Sequence, residues 1–262
     1  MKTTRTTTAF GWRVYGLGVI ALAILCLAWG DFDLGQPVPK TFPDRTILAY
    51  VAAAFMLAAG IAAEWRRTTA WGAAALSAYY VLVVVILMDG RGVVAHPAEY
   101  GSYSNVAEQL AIGAAGLIVF AAHARIDADL AAQLTRVGQV TFGLCAVLFG
   151  GAHFCYMNLT VPLVPKWLPP GQVVWAYATG VGHIAAGIAI ITGVQARLAA
   201  ILLTVMYASF TPLVHVPLLL AHPASRFIWS ENALNIALIG VAWVVADSLT
   251  RPKRYQTPGT SR

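Results

Sequence analysis

The nineteen residues 70–88, AWGAAALSAYYVLVVVILM, contain no charged side chain. A hydrocarbon core about 30 Å thick takes roughly 20 residues of α-helix to cross. The stretch therefore has both the length and the composition of a membrane span. In lipid its backbone amides must be satisfied within the segment, which a helix achieves and an isolated strand does not. Seven stretches of the same kind flank it, at about 12–30, 46–63, 105–123, 137–157, 173–194, 197–220 and 229–249. They leave no connection long enough for a soluble domain. None alternates apolar and polar residues as a transmembrane barrel strand does. The chain reads as an all-α integral membrane protein with eight transmembrane helices.

The composition agrees. Of 262 residues, 59% are apolar and 11% charged, with a mean hydropathy of +0.70. A soluble domain carries about 25% charged residues. A water-soluble enzyme, a disordered chain and a DNA-binding domain are all excluded. The net charge of +6 takes its meaning from its placement. Twelve of the seventeen Lys and Arg fall on one side of the expected topology: Lys2, Arg5, Arg13, Arg66, Arg67, Arg125, Arg136, Arg197, Arg251, Lys253, Arg254 and Arg262. The other side holds five, Lys40, Arg45, Arg91, Lys166 and Arg226. The bias predicts that both termini are cytoplasmic in a bacterial-type plasma (inner) membrane. The positive charge then serves topology and contact with anionic lipid head groups, and lends nothing to a nucleic-acid partner.

The first span follows Lys2, Arg5 and Arg13 and ends on the small-x-small triplet Ala28-Trp29-Gly30, as a signal peptide does. Its apolar run is long for a leader and it has a counterpart later in the chain, so it reads as a retained helix. Cys26, Cys145 and Cys155 form no CxxC and no zinc spacing. They read as small core residues.

Two halves of the chain align. Ala49-Tyr50 and Ala58-Ala59-Gly60-Ile61-Ala62 match Ala176-Tyr177 and Ala185-Ala186-Gly187-Ile188-Ala189 at an offset of 127. His96-Pro97 matches His222-Pro223 at 126, Glu108 matches Glu231 at 123, and Asp31-Phe32 meets His153-Phe154 at 122. The expectation is a duplicated unit: residues 1–124 form one four-helix membrane repeat and residues 125–262 a second. Four spans per unit give both repeats the same orientation, so two tandem four-helix bundles should stand as parallel repeats about an axis along the membrane normal. Ala58-Ala59-Gly60, Gly180-x-Gly182 and Ala185-Ala186-Gly187 should let the second and sixth helices approach their neighbours closely.

In the second half, Gly150-Gly151-Ala152-His153-Phe154 precedes Val164-Pro165-Lys166-Trp167-Leu168-Pro169. Ala176-Tyr177-Ala178-Thr179-Gly180-x-x-His183-x-Ala185-Ala186-Gly187 and then Leu213-Val214-His215-Val216-Pro217 follow. Over about 137–249 this pattern resembles the DoxX family of small four-helix membrane proteins. The first half is similar to a divergent copy, with Asp31 in place of His153 and Met56 in place of His183. Members of that family are functionally mixed. The resemblance implies the four-helix membrane unit, and a component of a quinone-linked or thiol/sulfur redox system working with a partner redox subunit.

Ionisable groups at membrane depth are costly, on the order of 2.5–3.5 kcal/mol on insertion scales, and mark candidate sites. At 1.5 Å per residue, His153 lies about 24 Å and His215 about 27 Å above the inner surface, and His183 about 15 Å below the outer one. Glu231, with Asn232 and Asn235, opens the eighth helix on the same side. An outward-facing pocket is expected from His153, His183, His215 and Glu231, walled by Tyr177, Trp167, Trp175 and Phe154. Thr179 and Thr211 precede His183 and His215 by four residues and offer each a hydroxyl on its own helix face.

Three readings fit this cluster: a pocket for a quinone or similar lipophile, a haem or metal site ligated by His153, His183 and His215, and hydrogen bonding that only holds the bundle together. No two of these histidines share a helix at i,i+3 or i,i+4, so a local metal signature is lacking. A non-catalytic scaffold for a partner enzyme and a small-solute carrier are the alternatives in other functional classes. No span carries a proline near its centre, against the broken helices of a carrier.

His96-Pro97 and His222-Pro223 read as helix stops, and His123 as a head-group contact. Asp31 and Asp33 read as part of a solvated outer loop. Glu108 reads as the first-half equivalent of Glu231. The Pro-rich, apolar run 161–170 reads as a re-entrant lid over the pocket.

Overall fold

The computed structural model describes residues 10–250. Among these residues the chain is all helical, with eight helices long and apolar enough to cross a membrane. They are α1 (Gly11–Trp29), α2 (Arg45–Glu64), α3 (Thr69–Ala95), α4 (Tyr100–His123), α5 (Ala128–Cys155), α6 (Gln172–Thr192), α7 (Ala196–Ala221) and α8 (Arg226–Ser248). Of the basic residues counted toward the cytoplasmic side, Lys2, Arg5, Arg251, Lys253, Arg254 and Arg262 lie outside the described residues.

Two helices outrun their apolar stretches. α3 continues through Asp89 and Arg91 until His96, whose amide closes the last turn on Gly92 O at 2.8 Å, and Pro97 ends it. α5 begins at Ala128, nine residues before its apolar run, because the Asp127 carboxylate accepts from the amides of Asp129 and Leu130. His222 ends α7 in the same backbone conformation as His96. These two His-Pro pairs are helix stops, as their sequence suggests.

Consecutive helices pack side by side from α1 through to α8, and α8 closes the ring against α1. α4 and α8 also touch across the middle. Close approach rests on small residues. A Cβ on Gly18 would stand 2.4 Å from Ala237 Cα, and one on Gly240 would stand 2.1 Å from Tyr15 N, so α1 and α8 meet backbone to backbone. Gly143 and Gly187 do the same for α5 and α6, and Gly60 seats α2 on Ile20 of α1. Gly182 has only a distant Met206 beside it.

α3 and α7 share an irregularity. Residues Tyr79–Asp89 and Thr211–His215 run as π-helix, and both segments lie well toward the same end of the bundle. In α7 the prolines 212 and 217 lack amide protons and leave carbonyls without their usual partner. α8 supplies donors there: Asn235 Nδ2 gives to Tyr207 O (3.3 Å) and Thr211 Oγ1 (2.9 Å), and Asn232 Nδ2 gives to His215 O (3.3 Å). The Thr211 hydroxyl is thus bound to Asn235, and it does not serve His215.

The connection after α1 corrects its reading as a solvated loop. Phe32, Asp33, Gly35 and Gln36 are buried inside the first four helices. Gln36 Nε2 reaches Met56 Sδ at 3.5 Å, and Tyr79 donates to Gln36 Oε1 at 3.2 Å. Asp31 accepts from Arg45 of its own half and from Arg226 at the start of α8, the latter at 2.7 Å. Two guanidiniums thus pair with this half-buried carboxylate.

Burial alone would push the Asp31 carboxyl up, but the hydrogen bonds from Arg226 and Arg45 outweigh it and hold the group below the usual carboxylate range. Burial pushes Asp33 up, against bonds from the Gly35 and Leu34 amides. The two have opposite linkage. Asp31 contributes stability above the ordinary carboxylate pKa of about 4, and that contribution is lost as pH falls through its depressed folded value. Asp33 contributes below that ordinary value and loses its contribution as pH rises through its raised folded value. Asp31→Asn is expected to cost about 1–3 kcal/mol at pH 7, read as a lower thermal midpoint in detergent, with the gap to wild type closing below about pH 4. Asp33→Asn should leave the pH 7 midpoint unchanged or raised. An Asp31→Asn penalty that persists undiminished in acid would count against the ion pair.

Candidate functional site

A cavity of about 300 Å³ sits among α4, α5, α6, α7 and α8, at the bundle end that carries the 156–171 connection. His153, His183, His215 and Glu231 all line it. Tyr177 and Trp167 do not: they are 48% and 71% exposed, and both are corrected as wall residues. Tyr177 points outward from α6 and packs on Phe154. Trp167 lies beyond the part of the connection that meets the cavity. Trp175 also faces outward, with its indole N–H on Pro169 O at 2.9 Å. Amphipathic rings at helix ends gain more from the membrane–water interface than from a packed interior. The aromatic wall is instead Phe149, Tyr156, Tyr207 and Phe210. Of the 161–170 run, only Leu163 and Val164 reach the cavity.

The chemistry is set by how each polar side chain is held. His153 and His183 lie ring against ring, centroids 4.9 Å apart, and Tyr207 and Phe149 flank His183 at 5.4 and 6.1 Å. His183 is 2% exposed. Each imidazole places Nδ1 on the carbonyl one turn back, Phe149 O at 2.9 Å and Thr179 O at 2.8 Å. A carbonyl only accepts, so Nδ1 carries the proton and the uncharged ring has an unprotonated Nε2. The Thr179 hydroxyl is turned to Trp175 O at 2.9 Å. His183 therefore uses the Thr179 carbonyl in place of the hydroxyl that the sequence spacing suggested.

Glu108, on α4, is the residue whose place the sequence reading missed. It lines this same cavity together with Glu231 of α8. Neither carboxyl has a hydrogen-bond or salt-bridge partner among the described residues. The signal was its match to Glu231 in the aligned halves; what that match cannot give is that α4 crosses to meet α8. Tyr207 was missed as well. Its hydroxyl is buried with no partner in the cavity wall.

Among the described residues, no group of three or more His, Cys, Asp or Glu side chains converges closely enough to hold a metal ion. His153 on α5 and His183 on α6 lie ring against ring, while His215 lines the cavity from α7 outside that pair. Cys155, expected in the core, is exposed, whereas Cys26 and Cys145 are buried. His123 is held by Val119 O at 2.9 Å and stacks edge-on with Trp12.

Met56, aligned with His183 in the sequence, is met by Gln36 from the buried loop. Asp89 is bonded to Asn105 at 2.7 Å, and Asn105 holds Gly35 O at 3.2 Å. A second cavity, about 390 Å³, lies among the connection after α1, α2 and α3, lined by Phe42, Phe55, Tyr79 and other apolar groups, with Arg91 its single charged residue.

A family described as a domain of unknown function, DUF8561, matches residues 142–246. That range contains His153, His183, His215, Glu231 and Tyr207, and leaves out Glu108. No curated protein and no solved structure matches the chain.

Proposed function

We propose that this protein is a DoxX-like inner-membrane component of a quinone-linked redox system, and that the cavity between α4 and α8 binds the polar head of a lipophilic quinone. The observation that carries this reading is the cavity itself: about 300 Å³, walled by aromatic rings, with two unpartnered glutamates and three histidines on its surface. Small-ligand pockets begin at about 300 Å³ and combine apolar walls with a few convergent polar groups. A head group of one ring fits that volume, and a tail leaves toward lipid. The imidazole Nε2 atoms and the carboxyls are groups that exchange protons with a bound hydroxyl. A haem is disfavoured by the small volume.

The tandem organisation belongs to the same proposal. Neighbour relations within α1–α4 recur within α5–α8, and the π segments of α3 and α7 and the paired His-Pro stops fall at equivalent places. This supports a duplicated four-helix unit whose first copy has been closed by its own loop. The charge bias supports cytoplasmic termini, which turn the cavity outward. A partner redox subunit would supply or remove the electrons.

Organic extraction of the protein purified from native membranes tests the reading. Quinone at close to one equivalent per chain is the expected result, strongly reduced in Leu234→Trp, where the larger side chain fills the cavity. Extracts without quinone, from protein that also fails to take up added quinone, would sink it.

A further inference from the structure

We propose that the second cavity, between α2, α3 and the connection after α1, binds one anionic membrane phospholipid, with an acyl chain in the apolar groove and the head-group phosphate on Arg91. The proposal is independent of the quinone reading and of the polar cavity. The site measures about 390 Å³, and Phe42, Phe55, Val83 and Leu87 are among its apolar walls. Only two of its lining residues are polar, Tyr79 and Arg91. Tyr79 donates its hydroxyl proton to Gln36 at 3.2 Å in a buried bond. Arg91 is exposed, and among the described residues no carboxylate pairs with it. The acids nearest to it in the chain are engaged elsewhere: Asp89 accepts from Asn105 at 2.7 Å, and Glu99 pairs with His96 at 3.3 Å. Arg45 stands over Phe32, another lining ring, at 5.5 Å, but its charge is engaged by Asp31. The lining thus offers one unpaired cation and otherwise hydrocarbon.

The shape of α3 puts that cation there. Tyr79, Val83, Leu87 and Arg91 follow one another at intervals of four residues. At 3.6 residues per turn each interval drifts about 40° around the helix, so three intervals would carry Arg91 about 120° off the line of Tyr79. Residues Tyr79–Asp89 are π-helix, whose wider i→i+5 turn takes out most of that drift. All four side chains therefore line the same cavity. Val51 and Leu87 are 60% and 61% exposed, so the groove opens sideways, toward lipid in a spanning chain. The ligand class follows from what each part of it gains. An acyl chain leaves lipid for a wall as apolar as lipid, so its burial selects nothing. The head group selects. A guanidinium meets a phosphate with two parallel N–H donors. A zwitterionic head carries an ammonium as well, and no carboxylate lines the cavity to receive it. An anionic phospholipid matches the single cation and the apolar groove together.

The test is native mass spectrometry of the detergent-solubilised full chain, titrated with dioleoyl phosphatidylglycerol and with dioleoyl phosphatidylethanolamine. The first equivalent of phosphatidylglycerol is expected to bind about fivefold more tightly than that of phosphatidylethanolamine, the contribution of one basic residue at a membrane surface. Arg91→Gln, at an exposed and unpaired position where the fold tolerates it, should abolish the preference. Arg67→Gln, also exposed but at the opposite end of the bundle, should leave it intact. Val51→Trp narrows the groove at an exposed wall position and should weaken both lipids with their ratio kept. Equal binding of the two lipids by the wild-type chain overturns the proposal, and so does a preference that survives Arg91→Gln or disappears in Arg67→Gln. Unchanged affinities in Val51→Trp would leave the acyl chain outside the cavity and overturn it as well. Oleate binding more tightly than phosphatidylglycerol would assign the site to a free fatty acid and overturn the phospholipid.

Discussion

Gly240→Leu is expected to break the α1–α8 contact and to lower the thermal midpoint of the detergent-solubilised protein by about 10 °C or more. The warrant is steric. A Cβ at residue 240 would lie 2.1 Å from Tyr15 N and 2.4 Å from Tyr15 Cα, and backbone cannot swing aside as a flexible side chain can. Overpacking of a side-chain core costs about 1–3 kcal/mol and occasionally more. A backbone collision belongs at the top of that range or beyond, and in a chain this long each kcal/mol moves the midpoint by about 2–4 °C. Tyr15 and Val241 are fully buried beside the contact, so the separation would open the core as well. The same seam closes the ring of eight helices and brings α8, with Glu231, against the first half. Gly92→Leu is the control: nothing stands within 4 Å of a Cβ there, and its midpoint should shift little. A Gly240→Leu midpoint no lower than that of the control would show that α1 and α8 do not meet as described.

His183→Leu separates a binding role from a structural one. Thr179 O, which holds Nδ1, also sits where it accepts the residue's own backbone amide within α6, so no carbonyl is orphaned by the change. The leucine side chain has a volume near that of imidazole and packs against Phe149 and Tyr207. Exchanging a buried polar ring for an apolar one of similar shape is close to neutral for folding, or stabilising. The midpoint should therefore hold or rise, while affinity for an alkyl hydroquinone falls about tenfold, the worth of about 1.4 kcal/mol. A histidine that only braces the bundle gives the reverse: a lower midpoint and unchanged affinity. Calorimetry and thermal unfolding on one preparation read both.

The eight spans are legible in the sequence because each is a local property: an uncharged run of the right length satisfies its own backbone in lipid wherever the neighbours lie. Helix stops at His96-Pro97 and His222-Pro223 are local for the same reason. His153, His183, His215 and Glu231 could be gathered from depth alone, since residues at one height on adjacent helices are brought together by any parallel arrangement. What depth cannot supply is azimuth. Tyr177 sits at the right height but on the lipid-facing side of α6, and Trp167 sits beyond the cavity at the interface. Glu108 faces the second half because α4 packs on α5 and α8, a choice made by Gly138 and its small neighbours meeting across helices. The loop at 32–36 has the composition of a surface turn, yet it is buried, because Asp31 finds Arg226 nearly two hundred residues away. Sequence determined the eight apolar helices and the two His-Pro stops, since those depend on neighbours along the chain. Only the tertiary structure decided which residues face the polar cavity, since that depends on small residues and paired charges meeting between helices far apart in the chain.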